Sequence, residues 1–325
     1  MKLLVTGGAG YIGSHVVRQL GEAGHEVVVY DNLSTGYRWA VLSGTLVEGD
    51  LADGARLDAL FETHRFDAVL HFAASIVVSE SLAEPLKYYG NNTRNTLTLL
   101  ERVRRFGVPH FVFSSTAAVY GMTDLPLVDE TVPLAPANPY GASKMMSERM
   151  LMDLGLADGP SYVVLRYFNV AGADSEARIG QSTPEATSLI KVACEAALGR
   201  RECLPIFGTD YPTPDGTCIR DFIHVEDLAR AHLDALAHLA AGGSSEVLNC
   251  GYGRGYSVRE VADSVRRVGG IDYRVDEVPR RPGDLPVMVA DNTRIREVLG
   301  WTPAYDDLDR IVADALRWER NSPAQ

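Results

Sequence analysis

The sequence predicts an α/β fold: a doubly wound parallel sheet with a smaller α+β lobe interleaved with it. Three observations lead there. Short apolar runs alternate with helical patterns through the first half of the chain, as successive βαβ units require. Glycines cluster directly between the first apolar run and the first helical pattern. From about Gly172 the alternation gives way to polar, loop-rich sequence, which calls for a second lobe.

Leu3, Leu4 and Val5 form a run suited to a strand buried on both faces. Gly7, Gly10 and Gly13 follow, and from Ser14 the pattern turns helical, with Val16, Val17 and Leu20 on one side. Glycine lets backbone turn sharply and approach a ligand without a Cβ in the way. A helix starting there offers free N–H groups to a pyrophosphate. A second strand over 26–30 ends at Asp31, about 20 positions past the glycines, where a carboxylate grips an adenosine ribose. This order of strand, glycines, helix, strand and acid predicts a Rossmann-type dinucleotide site. Asp31 would repel a ribose 2′-phosphate, so NAD is favoured over NADP.

Segment 32–36 is polar and suited to wrapping the adenosine. A third strand over 45–48 closes at Asp50, which either accepts from the adenine amino group or caps a helix over 52–63. Residues 68–74 read as a buried strand ending in small residues, with His71 a hydrogen-bonded core histidine and not a catalyst. A helix is expected over 82–106; Asn91 within it either touches the cofactor or packs. The run 111–120 reads as a strand whose Ser114, Ser115 and Thr116 face the crevice at the strand ends.

A proline-rich loop over 126–139 leads to Tyr140-Gly141-Ala142-Ser143-Lys144, which opens a helix to about Leu154. Tyr140 and Lys144 are then neighbours on one helix face. A free tyrosine titrates near 10, and a nearby ammonium together with a nicotinamide cation would lower that toward working pH. A strand over 162–166 continues the sheet. The second lobe holds a helix over 184–198 and the stretch 204–208, while a helix over 227–241 and a strand over 246–249 return to the first domain. The expected division is 1–168 with 218–250 for the dinucleotide, and 169–217 with 251–325 for the substrate.

Composition narrows the function classes. The chain has 325 residues, 46% of them hydrophobic, enough for a substantial core. A net charge of −12 argues against nucleic acid as a partner. The four cysteines, at 194, 203, 218 and 250, lack C-x-x-C pairing and fit free thiols in a reducing compartment, with no zinc site. The first strand begins at once and no apolar run reaches membrane length, so a cytoplasmic protein without membrane association is expected.

The spacing Gly7-x-x-Gly10-x-x-Gly13 resembles the extended short-chain dehydrogenases/reductases. The run from Ile206 to Thr217, Arg220-Asp221-Phe222-Ile223-His224-Val225, and the late RRPGDLP narrow the resemblance to the UDP-glucose 4-epimerase family, over nearly the whole chain. It implies reversible C4 epimerisation of UDP-glucose and UDP-galactose through a transient 4-keto sugar, with NAD tightly bound, in a homodimer. It also implies roles. Gly7, Gly10, Tyr11, Ile12 and Gly13 would meet the pyrophosphate, Asp31 and Asn32 the ribose, Asp50 and Leu51 the adenine. Phe72, Ala73, Ala74, Ser75, Ile76 and Asn91 would line the cofactor channel, and Phe168 would lie by the nicotinamide. Tyr140 and Lys144 would be the catalytic couple, and Thr116 would hold the sugar hydroxyl. Asn169, Leu189, Pro205, Ile206, Phe207, Arg220, Arg281 and Asp284 would bind the UDP-sugar.

Arginine suits a diphosphate through its planar fork of donors, and Phe207 suits contact with uracil. Ile76, Ser188 and Met288 depart from familiar versions of the family; Met288 bears on whether an N-acetylated sugar fits. A 4,6-dehydratase needs an Asp-Glu pair after the threonine, where this chain has Ala117 and Ala118. An NAD-sensing protein has no need of a Tyr–Lys couple beside strand-end hydroxyls. Epimerisation of another UDP-sugar (an N-acetylhexosamine, pentose or uronate) is the alternative reading.

Overall fold

Alternate residues of a strand point to opposite faces, and here both faces are apolar. In a computed structural model that describes residues 1–183, 186–281 and 283–322, Leu3, Val5, Val27 and Val29 bury on one side of the sheet. Leu4, Val28, Val69 and Phe111 bury on the other. The first half of the chain runs β1 (Lys2–Thr6), α1 (Tyr11–Glu22), β2 (Glu26–Asp31), β3 (Thr45–Glu48), α2 (Gly54–Thr63) and β4 (Ala68–His71). It continues through α3 (Val78–Ala83), α4 (Pro85–Tyr88), α5 (Asn95–Arg105), β5 (His110–Thr116), α6 (Pro139–Leu156) and β6 (Ser161–Tyr167).

Beyond β6 lie β7 (Asn169–Ala171), α7 (Leu189–Ala197), β8 (Leu204–Phe207), β9 (Ile219–His224), α8 (Val225–Ala240) and β10 (Glu246–Cys250). The chain ends in β11 (Gly255–Ser257), α9 (Val258–Gly269), β12 (Val275–Val278), β13 (Val287–Met288), α10 (Thr293–Leu299) and α11 (Leu308–Asn321). A seven-stranded sheet has the order β10-β6-β5-β4-β1-β2-β3, and its neighbouring strands all pair in parallel. Chain direction across the sheet reverses between β1 and β4, the switch point where ligands of such folds collect. Helices α1 and α8 supply Val16, Leu20, Leu228 and Leu236 to one face; α2, α5 and α6 supply Leu57, Leu99 and Leu151 to the other.

The fold class is as the sequence predicted, and several boundaries differ for identifiable reasons. The helix expected over 82–106 is broken. Glu84 precedes Pro85, which pushes it out of the helical region, to φ −124 and ψ 59. A wide π turn then spans Tyr89–Arg94 before α5. The strand expected over 111–120 ends at Thr116, and 117–119 form a tight turn. That expected over 68–74 ends at His71. Helix α2 begins at Gly54 with Asp53 as its cap, so Asp50 does not cap it. Helix α7 begins at Leu189, and of the span expected for it Pro184 and Glu185 lie outside the described residues.

The segment expected to return over 218–250 does so only from Val225. Strand β9 instead centres a second sheet, antiparallel to β11 and parallel to β13 and β7. Strands β8 and β12 form a separate parallel ribbon. Side chains of α7, α9 and α11 join the same apolar core as α1 and α8, so the lobes share an interior. The four cysteines are free. Among the described residues no helix is long and apolar enough to cross a membrane.

His71 is the core histidine expected of it: Nδ1 lies 2.6 Å from the Thr6 hydroxyl and Nε2 2.9 Å from that of Thr96. Burial lowers its pKa to about 3. It therefore stays neutral in the fold while the unfolded chain protonates below about 6.5. Its contribution is present above that value and is lost as pH falls toward 3, about 1.4 kcal/mol by pH 5.5. A His71→Asn variant should lose about that much less stability than the parent between pH 7.5 and 5.5 in urea denaturation. Equal losses would mean that His71 protonates within the fold.

Candidate active site

The carboxyl ends of the parallel strands meet around a cleft of about 390 Å³, within the usual range for small-molecule sites. Its wall includes Gly7, Gly10, Tyr11, Ile12 and Gly13 after β1, Asp31 and Asn32 after β2, and Asp50 and Leu51 after β3. Phe72, Ala73, Ala74, Ile76 and Asn91 come from the β4 side, Thr116 from β5, Tyr140 and Lys144 from α6, and Phe168 and Asn169 from beyond β6.

The glycine loop is shaped by close approach. Gly7 adopts φ +73, and a Cβ on it would lie 2.5 Å from the Ala73 amide nitrogen. One on Gly13 would overlap the Gly7 carbonyl oxygen. No side chain caps the N-terminus of α1, so its first N–H groups open onto the cleft at the positive end of the helix dipole. That is a fitting seat for a dinucleotide's diphosphate. Asp31 accepts hydrogen bonds from the Ala9 and Leu33 amides, both 2.9 Å. Burial raises its pKa against those bonds. Asn32 donates to Asp50 at 2.8 Å, tying the ends of β2 and β3 together.

Asn138 caps α6 by accepting from the Gly141 amide at 2.9 Å, which sets Tyr140 in the helix's first turn. Burial raises the Tyr140 pKa above its usual 10, and a hydrogen bond with Thr116 pulls the other way. Lys144 donates to the Ser114 carbonyl at 2.8 Å and lies 5.0 Å from the Phe113 ring centroid. Burial lowers its pKa to about 7, opposed by Glu148. The sequence predicts that the ammonium and a bound nicotinamide cation together lower the phenol. Among the chain's own groups the balance runs upward instead, because burial dominates and Lys144 is turned under β5 toward the Ser114 carbonyl.

Of the three hydroxyls at the end of β5, Ser114 and Thr116 reach the cleft. Ser115, between them, points to the opposite face and bonds Glu148. Glu148 is paired there with Arg166 of β6 at 2.6 Å, their side chains 1% and 5% exposed. Arg166 also donates to the Tyr120 hydroxyl at 3.0 Å, which donates to Asn249 of β10 at 2.6 Å. Below Ser75, Asn92 accepts from its amide and donates to its carbonyl and to Ser143. Asn91 donates to the Ser75 hydroxyl at 3.0 Å.

Other predicted residues fall elsewhere. Among the described residues the cleft wall does not include Ser75, Leu189, Pro205, Ile206, Phe207, Arg220, Arg281 or Asp284. Leu189 lines a smaller adjoining pocket with Asn169, Gln181 and Ser188, where the Ser188 hydroxyl donates to Gln181 at 2.7 Å. Ile206 is buried at 1% exposure, leaving only its backbone for a ligand. The Arg281 guanidinium lies 3.6 Å from the Phe207 ring centroid. Arg220 is held by Asp284 at 3.6 Å and by the Leu285 carbonyl at 2.8 Å. Sequence reasoning missed Gln181 and Thr183 on the cleft wall. They lie in irregular polar sequence, where no periodicity marks them.

Comparison with known proteins follows from this geometry. Residues 3–251 match the model of the NAD dependent epimerase/dehydratase family. The chain belongs to that family. Among its relatives in the NAD dependent epimerase/dehydratase family, the UDP-glucose 4-epimerase of Azospirillum brasilense is 58% identical over 321 residues, covering 98% of this chain and 92% of that protein. That of Rhizobium meliloti is 49% identical over 316 residues, 97% and 96% of the two chains. The crystal structure of UDP-glucose 4-epimerase from Brucella ovis in complex with NAD superposes with a TM-score of 0.95 at 46% identity, covering 97% of each chain.

The Arg166–Glu148 pair fixes α6 to the sheet from beneath. Removing one partner of a buried pair leaves an uncompensated charge, so Arg166→Met should cost about 3–5 kcal/mol in urea denaturation. Arg166→Met with Glu148→Met should recover much of that. A single-variant cost below about 1 kcal/mol would show that the pair does not anchor the helix.

Proposed function

We propose that the chain is an NAD-dependent UDP-glucose 4-epimerase, interconverting UDP-galactose and UDP-glucose at C4. The observation that carries this is the meeting of an uncapped glycine-loop helix with Thr116, Tyr140 and Lys144 in one cleft. The loop residues Gly7, Gly10 and Gly13 would receive the NAD diphosphate, Asp31 and Asn32 the adenosine ribose, and Asp50 and Leu51 the adenine. Phe72, Ala73, Ala74, Ile76, Asn91 and Phe168 would line the remainder of its channel. Bound NAD supplies a reversible acceptor for the C4 hydride, so the sugar is oxidised and then reduced with no net redox change.

The chain's residues handle the proton. Tyr140, as phenolate, takes the proton of the C4 hydroxyl and returns it after the 4-keto sugar has presented its other face. Thr116 holds the same hydroxyl in line with the phenol. Its hydroxyl pulls the phenol toward the charged form, which burial alone would disfavour. The cationic nicotinamide of bound NAD would supply the remaining bias, with Lys144 held on the Ser114 carbonyl. With Ala117 and Ala118 beyond Thr116, no carboxyl follows to carry out elimination at C5 and C6.

Residues 1–168, with α8 and β10, would hold the dinucleotide, and the rest of the chain the UDP-sugar. Arg220 and Arg281 would bind the diphosphate of the sugar nucleotide, with Phe207, Asn169 and Leu189 around uracil and sugar. The exposed Leu97 of α5 and Met146 of α6, 45% and 42% exposed, support a homodimer formed through those helices. The net charge of −12 and four free cysteines support a cytoplasmic enzyme that binds neither nucleic acid nor membrane.

Incubated with UDP-galactose, the purified protein should form UDP-glucose without lasting change in nicotinamide absorbance. Tyr140→Phe should keep its NAD and lose at least about 10²-fold in kcat. Turnover near the parent rate would remove Tyr140 from the mechanism.

A further inference from the structure

Three segments far apart in sequence converge at the diphosphate end of the cleft. Gln181 and Thr183 form cleft wall together with Gly10, Tyr11 and Thr35. Gly180 and Ser182, interleaved with them, face a small recess shared with Ala9, Tyr37 and Trp39. The 180–183 segment thus passes beside the uncapped N-terminus of α1, and separate contacts fasten it there. The Tyr37 hydroxyl donates to the Ser182 carbonyl at 3.2 Å. The Trp318 indole N–H of α11 donates to the Gln181 carbonyl at 3.2 Å. Any Cβ on Gly180 would collide with the Trp318 ring.

Trp39 completes the fastening from outside. Its ring stacks on Tyr37 at 5.3 Å and leans on Trp318 at 5.7 Å between centroids, while 38% of the residue stays exposed. Tyr37 is in turn fixed to the glycine loop, its amide donating to the Ala9 carbonyl at 3.0 Å. None of the three aromatic residues lines the main cleft.

We infer that Tyr37, Trp39 and Trp318 are positioning residues that hold residues 180–183 as a strap across the diphosphate end of the cofactor cleft, so that bound NAD exchanges slowly. The inference rests on the proposed binding of NAD. For the diphosphate to leave the helix N-terminus, the strap must lift, breaking the hydrogen bonds from Tyr37 and Trp318, whose donors the aromatic stack holds in place. Chemistry at the nicotinamide end does not require that motion, so retention and turnover are separable. An epimerase that regenerates its cofactor within each cycle gains from retention, since a freed cofactor would leave the sugar oxidised.

The test compares exchange of bound, isotopically labelled NAD against excess unlabelled NAD in the parent, Tyr37→Phe, Trp39→Ala and Trp39→Phe holoenzymes. Tyr37→Phe removes only a hydroxyl and should speed exchange about 3–10-fold. Trp39→Ala should speed it by about 10-fold, and Trp39→Phe should restore most of the slowness. The kcat at saturating NAD should stay near the parent's, and the urea midpoint should fall only slightly, by no more than the lost contact accounts for. Exchange rates within about two-fold of the parent in both Tyr37→Phe and Trp39→Ala would overturn the strap while leaving the epimerase reading intact. A parent protein that binds no NAD would overturn the functional reading first and the strap with it.

Discussion

The buried ion pair between Glu148 and Arg166 is the interaction on which the arrangement of the site depends. It lies beneath α6, on the side of β5 and β6 away from the cleft, and Ser115 and Tyr120 complete its hydrogen bonds. Two charges taken from water recover their desolvation cost only when geometry is good and every remaining polar atom is satisfied. Here the satisfaction comes from three different elements. Helix α6 therefore has one available seating on the sheet, and Tyr140 and Lys144, two turns and one turn earlier on it, inherit that seating. The period of a strand does the rest: Ser115 bonds the pair below, while Ser114 and Thr116 on either side of it meet Lys144 and Tyr140.

A second constraint is steric. Gly7 and Gly13 lie where a Cβ would strike backbone, so the loop after β1 packs flat against the chain leaving β4. That brings the start of α1 to the switch point of the sheet, where the strand ends diverge and leave a crevice. The two constraints act on opposite sides of the cleft. One fixes the glycine loop and the start of α1, and the other fixes α6 with Tyr140 and Lys144. Burial acts on both members of that pair, lowering the Lys144 pKa to about 7 and raising that of Tyr140, so each group answers to its own surroundings more than to the other.

The lobes are joined by polar as well as apolar contacts. Asp227, at the start of α8, accepts from the Tyr252 hydroxyl and from the Ala304 and Tyr305 amides. Asp221 of β9 accepts from the amides of Tyr252, Gly253 and Ala290, though burial raises its pKa to about 6. Such bonds draw loops from distant parts of the chain to two carboxylates. They set the second sheet against the first.

Sequence by itself determined the fold class, the glycine loop with its partner Asp31, and the Tyr140–Lys144 spacing, because these depend on local periodicity and on residue types with few other uses. It also determined the core place of His71, since a lone histidine in a strand apolar on both faces has nowhere else to go. Tertiary structure alone decided which face each hydroxyl of β5 presents, that burial raises the Tyr140 phenol, and that 180–183 borders the cleft. The break at Pro85 was written in the residues, but the π turn carrying Asn91 and Asn92 was not, since it answers to partners on Ser75 and Ser143. Those outcomes depend on groups brought together from far along the chain, and long-range burial and pairing leave no periodic trace in the residues that receive them.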